Sequence, residues 1–406
     1  MSSPGGALLR AVLLKACFVA LIVWAAGAWP SESPYIKPRF ERANDLVWYL
    51  SRGFDSESYQ IMATEGYYDE FSRSHPPGFP LLIRAMLLLT SNRQAAGVLA
   101  ANLCSLLAVL AMLALLRHYA TSRDGPARHA AGHDGLRHDG VGCEPQSAGG
   151  LGRVGVSHVD LALLLGCAMP GLLAFGTVAY SESAMMLFAM LAWCAYLRAE
   201  SGELPRRHLG WLLAASWLGA LSLMMRDMGA PLFAAWGLIE LVRVVRIPGE
   251  QRSRALLEAG ALLSGGLAAA GAFAWRLAEH DFIEVQQKLW SVRFELFGGP
   301  ASLMGSIDPE FVVLIYASLP LGLLLLARTW RVDKRLTLVA ALGLVLMLSV
   351  TGVGAQSFNR YLWATWPLAL GALAIRDRGV LWALTAWLFA VSLWCGLGHV
   401  QGSMAL

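Results

Sequence analysis

Apolar residues in this chain do not alternate with polar ones over short stretches. They run on for about 20 residues at a time, as in "ALLRAVLLKACFVALIVWAAGAW" and "RLTLVAALGLVLMLSVTGVG". About 20 helical residues cross the ~30 Å hydrocarbon core of a bilayer. Only helices or closed barrels satisfy the backbone there, and runs this uniform are too long for barrel strands. The pattern predicts an all-α polytopic membrane protein with eleven spans, near 8–29, 95–116, 159–175, 182–197, 209–225, 229–245, 255–275, 311–327, 336–353, 361–375 and 379–397. A shorter run, Phe79–Leu89, reads as a half-inserted or interfacial helix. The first run ends in Trp29-Pro30 rather than in a small-x-small cleavage site, and reads as a retained helix.

Composition agrees: 56% of the residues are hydrophobic and 15% are charged, where a soluble protein carries about a quarter. The placement of charge adds an orientation. With the N-terminus in the cytoplasm, the inner turns hold Arg117 and Arg123, Arg198, Arg206 and Arg207, Arg243, Arg246, Arg252 and Arg254, Arg328, Arg331, Lys334 and Arg335, and Arg376 and Arg378. That is the basic bias expected of cytoplasmic loops, and Arg10 and Lys15 join it in the first span. Two outer loops remain. Residues 30–78 carry Glu32, Glu41, Asp45, Asp55, Glu57, Glu65, Asp69 and Glu70; residues 276–308 carry Glu279, Asp281, Glu284, Glu295 and Asp308. Since the basic residues mark span ends, the net charge of +4 does not point to nucleic acid.

The chain reads as one transmembrane domain without a long internal repeat. Residues 117–157 have no hydrophobic period and read as a cytoplasmic linker. Its histidines His118, His129, His133 and His138 fit no closed zinc spacing. The six cysteines are scattered without a CxxC pair and read as small apolar residues.

Polar residues that apolar spans would not tolerate collect on the outer side. The first loop supplies Asp55, Glu57 and His75; "AYSESAMML" places Glu182 at the start of a span; "LMMRDMGAP" places Arg226 and Asp227 at the end of another. "FIEVQQKLWSVRF" supplies Gln286 and Trp290, and "GAQSFNRYLWATWP" supplies Asn359, Arg360 and Tyr361. Ions at a membrane edge are costly and mark function or pair with one another; snorkelling to the interface is the plainer alternative for each taken singly. Arginine suits phosphate oxygens, and a carboxylate suits the proton of an attacking hydroxyl. Transfer from a lipid-linked phosphosugar uses both. Asp55 is the candidate base, assisted by Glu57 or His75; an N-cap role for a helix starting at Ser56 is the alternative. Arg226 and Arg360 are the phosphate candidates. Glu182 and Gln286 would orient sugars or loops, and Tyr59, Trp290 and Tyr361 would stack on sugar or line a lipid groove. Asp55 and Glu57 also form a D-x-E pair that could bind a divalent ion.

The segment "FDSESYQIMATEGYYDEF" followed by "HPPGFPLLIR" resembles the signature of the GPI mannosyltransferase 2 (PIG-V-like) family, of the GT-C class of membrane glycosyltransferases. Further matches follow in order: "PGLLAFGTVAYSESAMMLF", "RDMG", "FIEVQQKLWSVRF" and "NRYLWATWPL", spanning Phe54 to Pro367. The chain departs from the family pattern at Phe54, at the His-Pro-Pro-Gly-Phe-Pro turn and at Arg293, which stand where the family has Trp, a Phe-Phe-Pro turn and Gly. The resemblance implies a GT-C-like fold and a dolichyl- or polyprenyl-phosphate mannose donor. It also implies a glycolipid acceptor, such as a GPI-like lipid-linked glycan, an inverting α-mannosyl transfer and no metal or other cofactor. A partner subunit is left open.

A transporter or flippase for a lipid-linked sugar would use the same charges to bind and release cargo. The carboxylate-rich outer loop, which a carrier does not need, favours the enzyme. A GT-C transferase using another lipid-phosphate sugar is the nearer alternative. Only Lys15, Lys37, Lys288 and Lys334 are lysines, and the chain has no N-x-S/T sequon. The expected location is a prokaryotic plasma membrane, or the endoplasmic reticulum if the source is eukaryotic, with the site extracytoplasmic or lumenal.

Overall fold

A computed structural model describes residues 4–28, 46–47, 50–51, 54–73, 75–124, 156–201, 205–280, 287, 293–304, 309–351 and 358–401. Most of the linker expected over 117–157, much of both outer loops, Cys143, Gln286 and Trp290 lie outside the described residues.

The apolar runs form long helices. They are α1 (Pro4–Ala28), α4 (Arg93–Asp124), α5 (Val156–Ala168), α6 (Glu182–Glu200), α7 (Pro205–Met225), α8 (Ala230–Arg246), α9 (Gly249–His280), α10 (Pro309–Thr329), α11 (Lys334–Leu348) and α14 (Arg378–Gln401). Shorter helices α2 (Phe54–Glu65) and α3 (Gly78–Met86), with the one-turn helix Glu70–Arg73 between them, lie between α1 and α4; Gly299–Met304 lies between α9 and α10; α12 (Phe358–Leu362) and α13 (Pro367–Leu370) lie between α11 and α14. Six helices among the described residues are long and apolar enough to cross a membrane. The chain is an all-α polytopic membrane protein, as the apolar runs predicted. α6 packs against α4 and α7, α7 against α9, and α14 against α5 and α1. Trp193 and Trp236 stack, with ring centroids 6.3 Å apart, where α6 meets α8.

Two of the expected spans are not continuous helices. The span expected over 159–175 stays helical only to Ala168 and then runs through turns to Ser181. Pro170, with no N–H to donate, and Gly171 begin this unwound stretch. The span expected over 361–375 breaks into α12, α13 and a 3-10 turn around Trp366-Pro367. Hydropathy registers both segments because they are apolar and buried, yet neither is regular.

Unwound backbone inside an apolar bundle needs partners for its carbonyls. Side chains of α1 and α4 provide them. Lys15 Nζ donates to Gly176 O at 2.6 Å and to Asn102 Oδ1 at 3.1 Å. Asn102 Nδ2 donates to Thr177 O at 3.0 Å, and Ser105 Oγ to Leu172 O at 2.8 Å. Lys15 therefore pins an unwound segment rather than marking a helix end. The Ala179 amide donates to Leu50 O at 2.9 Å, just before α2, which brings this segment to the start of the first loop helix.

α3 closes the same end of the bundle against α7. A Cβ on Gly78 would stand 2.5 Å from the Met224 carbonyl oxygen, so only glycine permits the approach. We expect Gly78→Ala to push α3 off α7 and to lower stability by about 1–3 kcal/mol. The readout is the unfolding midpoint of the purified protein in detergent; an unchanged midpoint would mean that α3 is not held by this contact.

Candidate functional site

α2 begins at Phe54 rather than at Ser56, so Asp55 lies in its first turn and is not its N-cap. An acidic residue there is favoured by the helix dipole. α2 buries Tyr59 and Met62 and leaves Glu57 exposed. Residues two apart on a helix point to nearly opposite sides, which separates Asp55 from Glu57. None of the contacts around Asp55 among the described residues involves Glu57, and the D-x-E pair does not converge.

Asp55 instead faces groups from three other parts of the chain. His75, in the turn after Arg73 and before Pro76-Pro77, sets its Nε2 3.2 Å from Asp55 Oδ1. Arg226, between α7 and α8, donates from Nη1 to Asp55 Oδ2 at 3.0 Å. Arg360, on α12, donates from Nη2 to that same oxygen, also at 3.0 Å. Behind them stands Glu182, the first residue of α6, with a fully buried side chain. Arg360 Nε donates to Glu182 Oε1, and Arg226 Nε lies 3.6 Å from that oxygen. Two guanidiniums and two carboxylates thus form one closed cluster.

Aromatic residues complete the shell. Arg360 sits over the Tyr180 ring, 4.2 Å from its centroid, and 5.2 Å from that of Phe175. Arg226 donates to Tyr59 Oη at 2.8 Å and to Tyr361 Oη at 2.9 Å. Tyr59 Oη lies 3.3 Å from Ser181 Oγ, and its ring packs edge-on against His75 and Phe79. Tyr59 is fully buried, so here it serves Arg226 rather than presenting a stacking face. Burial pushes its phenol well above the ordinary value and keeps it neutral.

The electrostatics of Asp55 follow from this packing. Burial alone would raise its pKa, but Arg360, Arg226 and His75 outweigh that and hold the carboxyl well below the usual carboxylate range. Its side chain keeps 15% exposure, against none for Glu182. Asp55 is therefore the member of the cluster that faces outward. Glu182 Oε2 has no hydrogen-bond partner among the described residues.

Of the candidates read from the sequence, Asp55, His75, Glu182, Arg226, Arg360 and Tyr361 come together. Glu57 points elsewhere, and Gln286 and Trp290 lie outside the described residues. Arg360 is only 6% exposed and ion-paired, so it is not a side chain reaching out to the interface. The residues that sequence reasoning passed over are Phe175, Tyr180 and Ser181. The "AYSES" segment was the available signal, since its polar and aromatic residues directly precede Glu182.

Chemically, two guanidiniums converging on one oxygen form an anion site, and a carboxylate with a histidine beside it can accept a proton. No family model and no curated protein matches this chain. The structure is similar to the crystal structure of ArnT from Cupriavidus metallidurans in the apo state, at 17% sequence identity and a TM-score of 0.46. The match covers 92% of this chain and 61% of that chain.

The cluster should behave as a stabilising unit as well as a site. Glu182→Gln leaves two buried arginines facing one carboxylate, and breaking a buried pair costs about 3–5 kcal/mol. Glu57→Gln, on the exposed side of α2, should stay within about 0.5 kcal/mol of wild type. Thermal or denaturant unfolding in detergent compares the two; equal midpoints would mean that the cluster carries no structural weight.

Proposed function

We propose that this chain is a GT-C-class membrane glycosyltransferase that moves a sugar from a polyprenyl-phosphate donor to a lipid-linked acceptor. The observation that carries the reading is the convergence of Arg226 and Arg360 on Asp55 Oδ2, each at 3.0 Å, at one end of an apolar helical bundle. Phosphate oxygens suit such a double guanidinium grip. A polyprenyl chain suits the apolar surroundings. A narrow cleft of about 20 Å³ lies among α6, α8 and α11 and is lined by Met185, Met228, Leu232, Val339, Trp366 and Pro367. Its walls include residues that follow each arginine closely in sequence, Met228 after Arg226 and Ala364 after Arg360.

In the reaction, an acceptor hydroxyl oxygen attacks the anomeric carbon of the donor. The carbon–oxygen bond to phosphate breaks with inversion, and the hydroxyl proton passes to Asp55. His75 orients that carboxylate. The departing phosphate gains negative charge, so its contacts with Arg226 and Arg360 strengthen in the transition state. Mannose as the sugar, a glycolipid of the GPI type as the acceptor and an α product come from the motif resemblance of Phe54 to Pro367. No step in this scheme needs a metal or other cofactor.

The test is sugar transfer by purified protein in detergent, with polyprenyl-phosphate mannose and a glycolipid extract, read by mass spectrometry. Detergent removes the two compartments that a flippase needs, so transfer there separates the enzyme from a carrier. Arg360→Lys keeps the charge but cannot hold Glu182 and Asp55 together through a planar fork. We expect its turnover to fall by about 10²-fold, the scale attached to losing one donor at a developing anion. Wild-type turnover in the Lys variant would remove Arg360 from the phosphate site.

The reading also places the cluster on the extracytoplasmic side. Ser72, the natural choice in the first loop for a reporter cysteine, is buried, and its hydroxyl bonds to Asp69 O at 2.8 Å. Thr64, on the exposed face of α2, is the better position, and Glu250, exposed at the start of α9, serves for the opposite face. An impermeant thiol reagent should label Thr64→Cys in intact cells and Glu250→Cys only after permeabilisation. The reverse pattern would turn the site toward the cytoplasm.

A further inference from the structure

Resting on the phosphate reading above, we infer that Asp55 is a placeholder anion: its carboxylate occupies the position that a donor phosphate oxygen must take, and donor binding expels it. The geometry leaves little choice. Asp55 Oδ2 is the oxygen on which both guanidiniums converge. A phosphate that reached them with Asp55 still in place would have to approach groups already committed to a carboxylate.

Charge leads to the same conclusion. Arg226 and Arg360 balance Asp55 and Glu182, one for one. A donor phosphodiester brings a further negative charge into a region where excess charge is costly. Moving one carboxylate out restores the balance. Glu182 is not the one to leave. It is fully buried at the start of a helix that runs through the bundle, and both arginines reach it. Asp55 is the more exposed of the two, on a helix that lies outside the long spans.

His75 gives the displaced carboxylate somewhere to go. It meets Oδ1, whereas the arginines share Oδ2, so losing the arginines need not cost Asp55 its histidine partner. The remaining neighbours, the hydroxyls of Tyr59, Ser181 and Tyr361, stay with Arg226. Once off the arginines, Asp55 is a carboxylate beside a histidine at the open side of the site, which is what a base for an acceptor hydroxyl requires. The resting enzyme thus holds its base and its anion site against each other. The order of events follows: donor first, then a free base, then acceptor.

The experiment is binding of undecaprenyl phosphate, the lipid half of such a donor, to the full chain in nanodiscs by native mass spectrometry. Wild type, Asp55→Asn and Glu57→Gln are compared. Asp55→Asn should bind the lipid phosphate at least ~10-fold more tightly than wild type, while turnover is lost; tenfold corresponds to about 1.4 kcal/mol. Glu57→Gln should bind as wild type does. A purely structural Asp55 would give the opposite sign, because its loss would loosen the arginines. Equal or weaker binding by a folded Asp55→Asn, with wild type binding normally, overturns the placeholder and leaves the phosphate reading standing. No binding by either protein overturns the phosphate reading itself. If Asp55→Asn does not fold, wild type decides through hydrogen exchange. Bound undecaprenyl phosphate should speed exchange over residues 56–62, because the first turn of α2 has lost its tether; slowed or unchanged exchange refutes displacement.

Discussion

Four charges in an apolar bundle hold this end of the molecule together. Asp55, Arg226, Glu182 and Arg360 come from a loop helix, a turn between two spans, the start of a central helix and a five-residue helix. Their main chains are far apart in sequence, and the ion pairs join them at one point. Any one of these charges alone would be expensive here. Together they cancel, and the rings of Tyr180, Phe175 and Tyr361 accept the guanidinium faces where no carboxylate is available.

The cluster in turn depends on unwound backbone. An unbroken helix through residues 169–181 would spend its carbonyls on its own amides and send its side chains out at helical intervals. The turns there allow Tyr180, Ser181 and Glu182 to meet the arginines in succession. That freedom leaves backbone carbonyls without helical partners, and Lys15, Asn102 and Ser105 supply the donors. Polar side chains on α1 and α4 that look out of place in membrane helices are the counterpart of irregular backbone elsewhere.

This explains which features could be read from the sequence. Apolar length sets where helices cross, so α1, α4, α7 to α9 and α14 were legible, although α4 runs to Asp124 and α9 begins at Gly249, beyond the expected ends at 116 and 255. The two broken spans were not, because hydropathy measures burial and is blind to backbone dihedrals; Pro170 and Pro367 were the visible hints. Asp55, Glu182, Arg226 and Arg360 stood out because charge is rare in such a chain. Their pairing was not visible, and neither was the fact that both arginines are already bound to carboxylates. Glu57 looked equivalent to Asp55 in a string, but a helix turns residues two apart in opposite directions. Lys15 was read as part of a basic inner rim because charge bias ignores depth. The structure puts it beside Gly176 instead.

α6 connects the cluster to a second set of ion pairs at its other end. Glu182 opens it and Glu200 closes it. Glu200 pairs with Arg335, which also holds Asp333 at 3.0 Å, and Asp333 accepts from Tyr119 at 2.9 Å. Nineteen residues at a rise of roughly 1.5 Å each separate the two ends by about 28 Å. Because both ends are fastened to neighbouring helices, and most of α6 is buried by them, that distance belongs to the protein and not to the surrounding lipid. The helix acts as a ruler. Tilting the bundle as a whole leaves that spacing unchanged, whereas sliding one neighbouring helix along α6 breaks ion pairs at one end or the other. A change in hydrocarbon thickness is then met by tilt of the whole bundle or by the lipid, and not by a change in the distance between the two ion-pair sets.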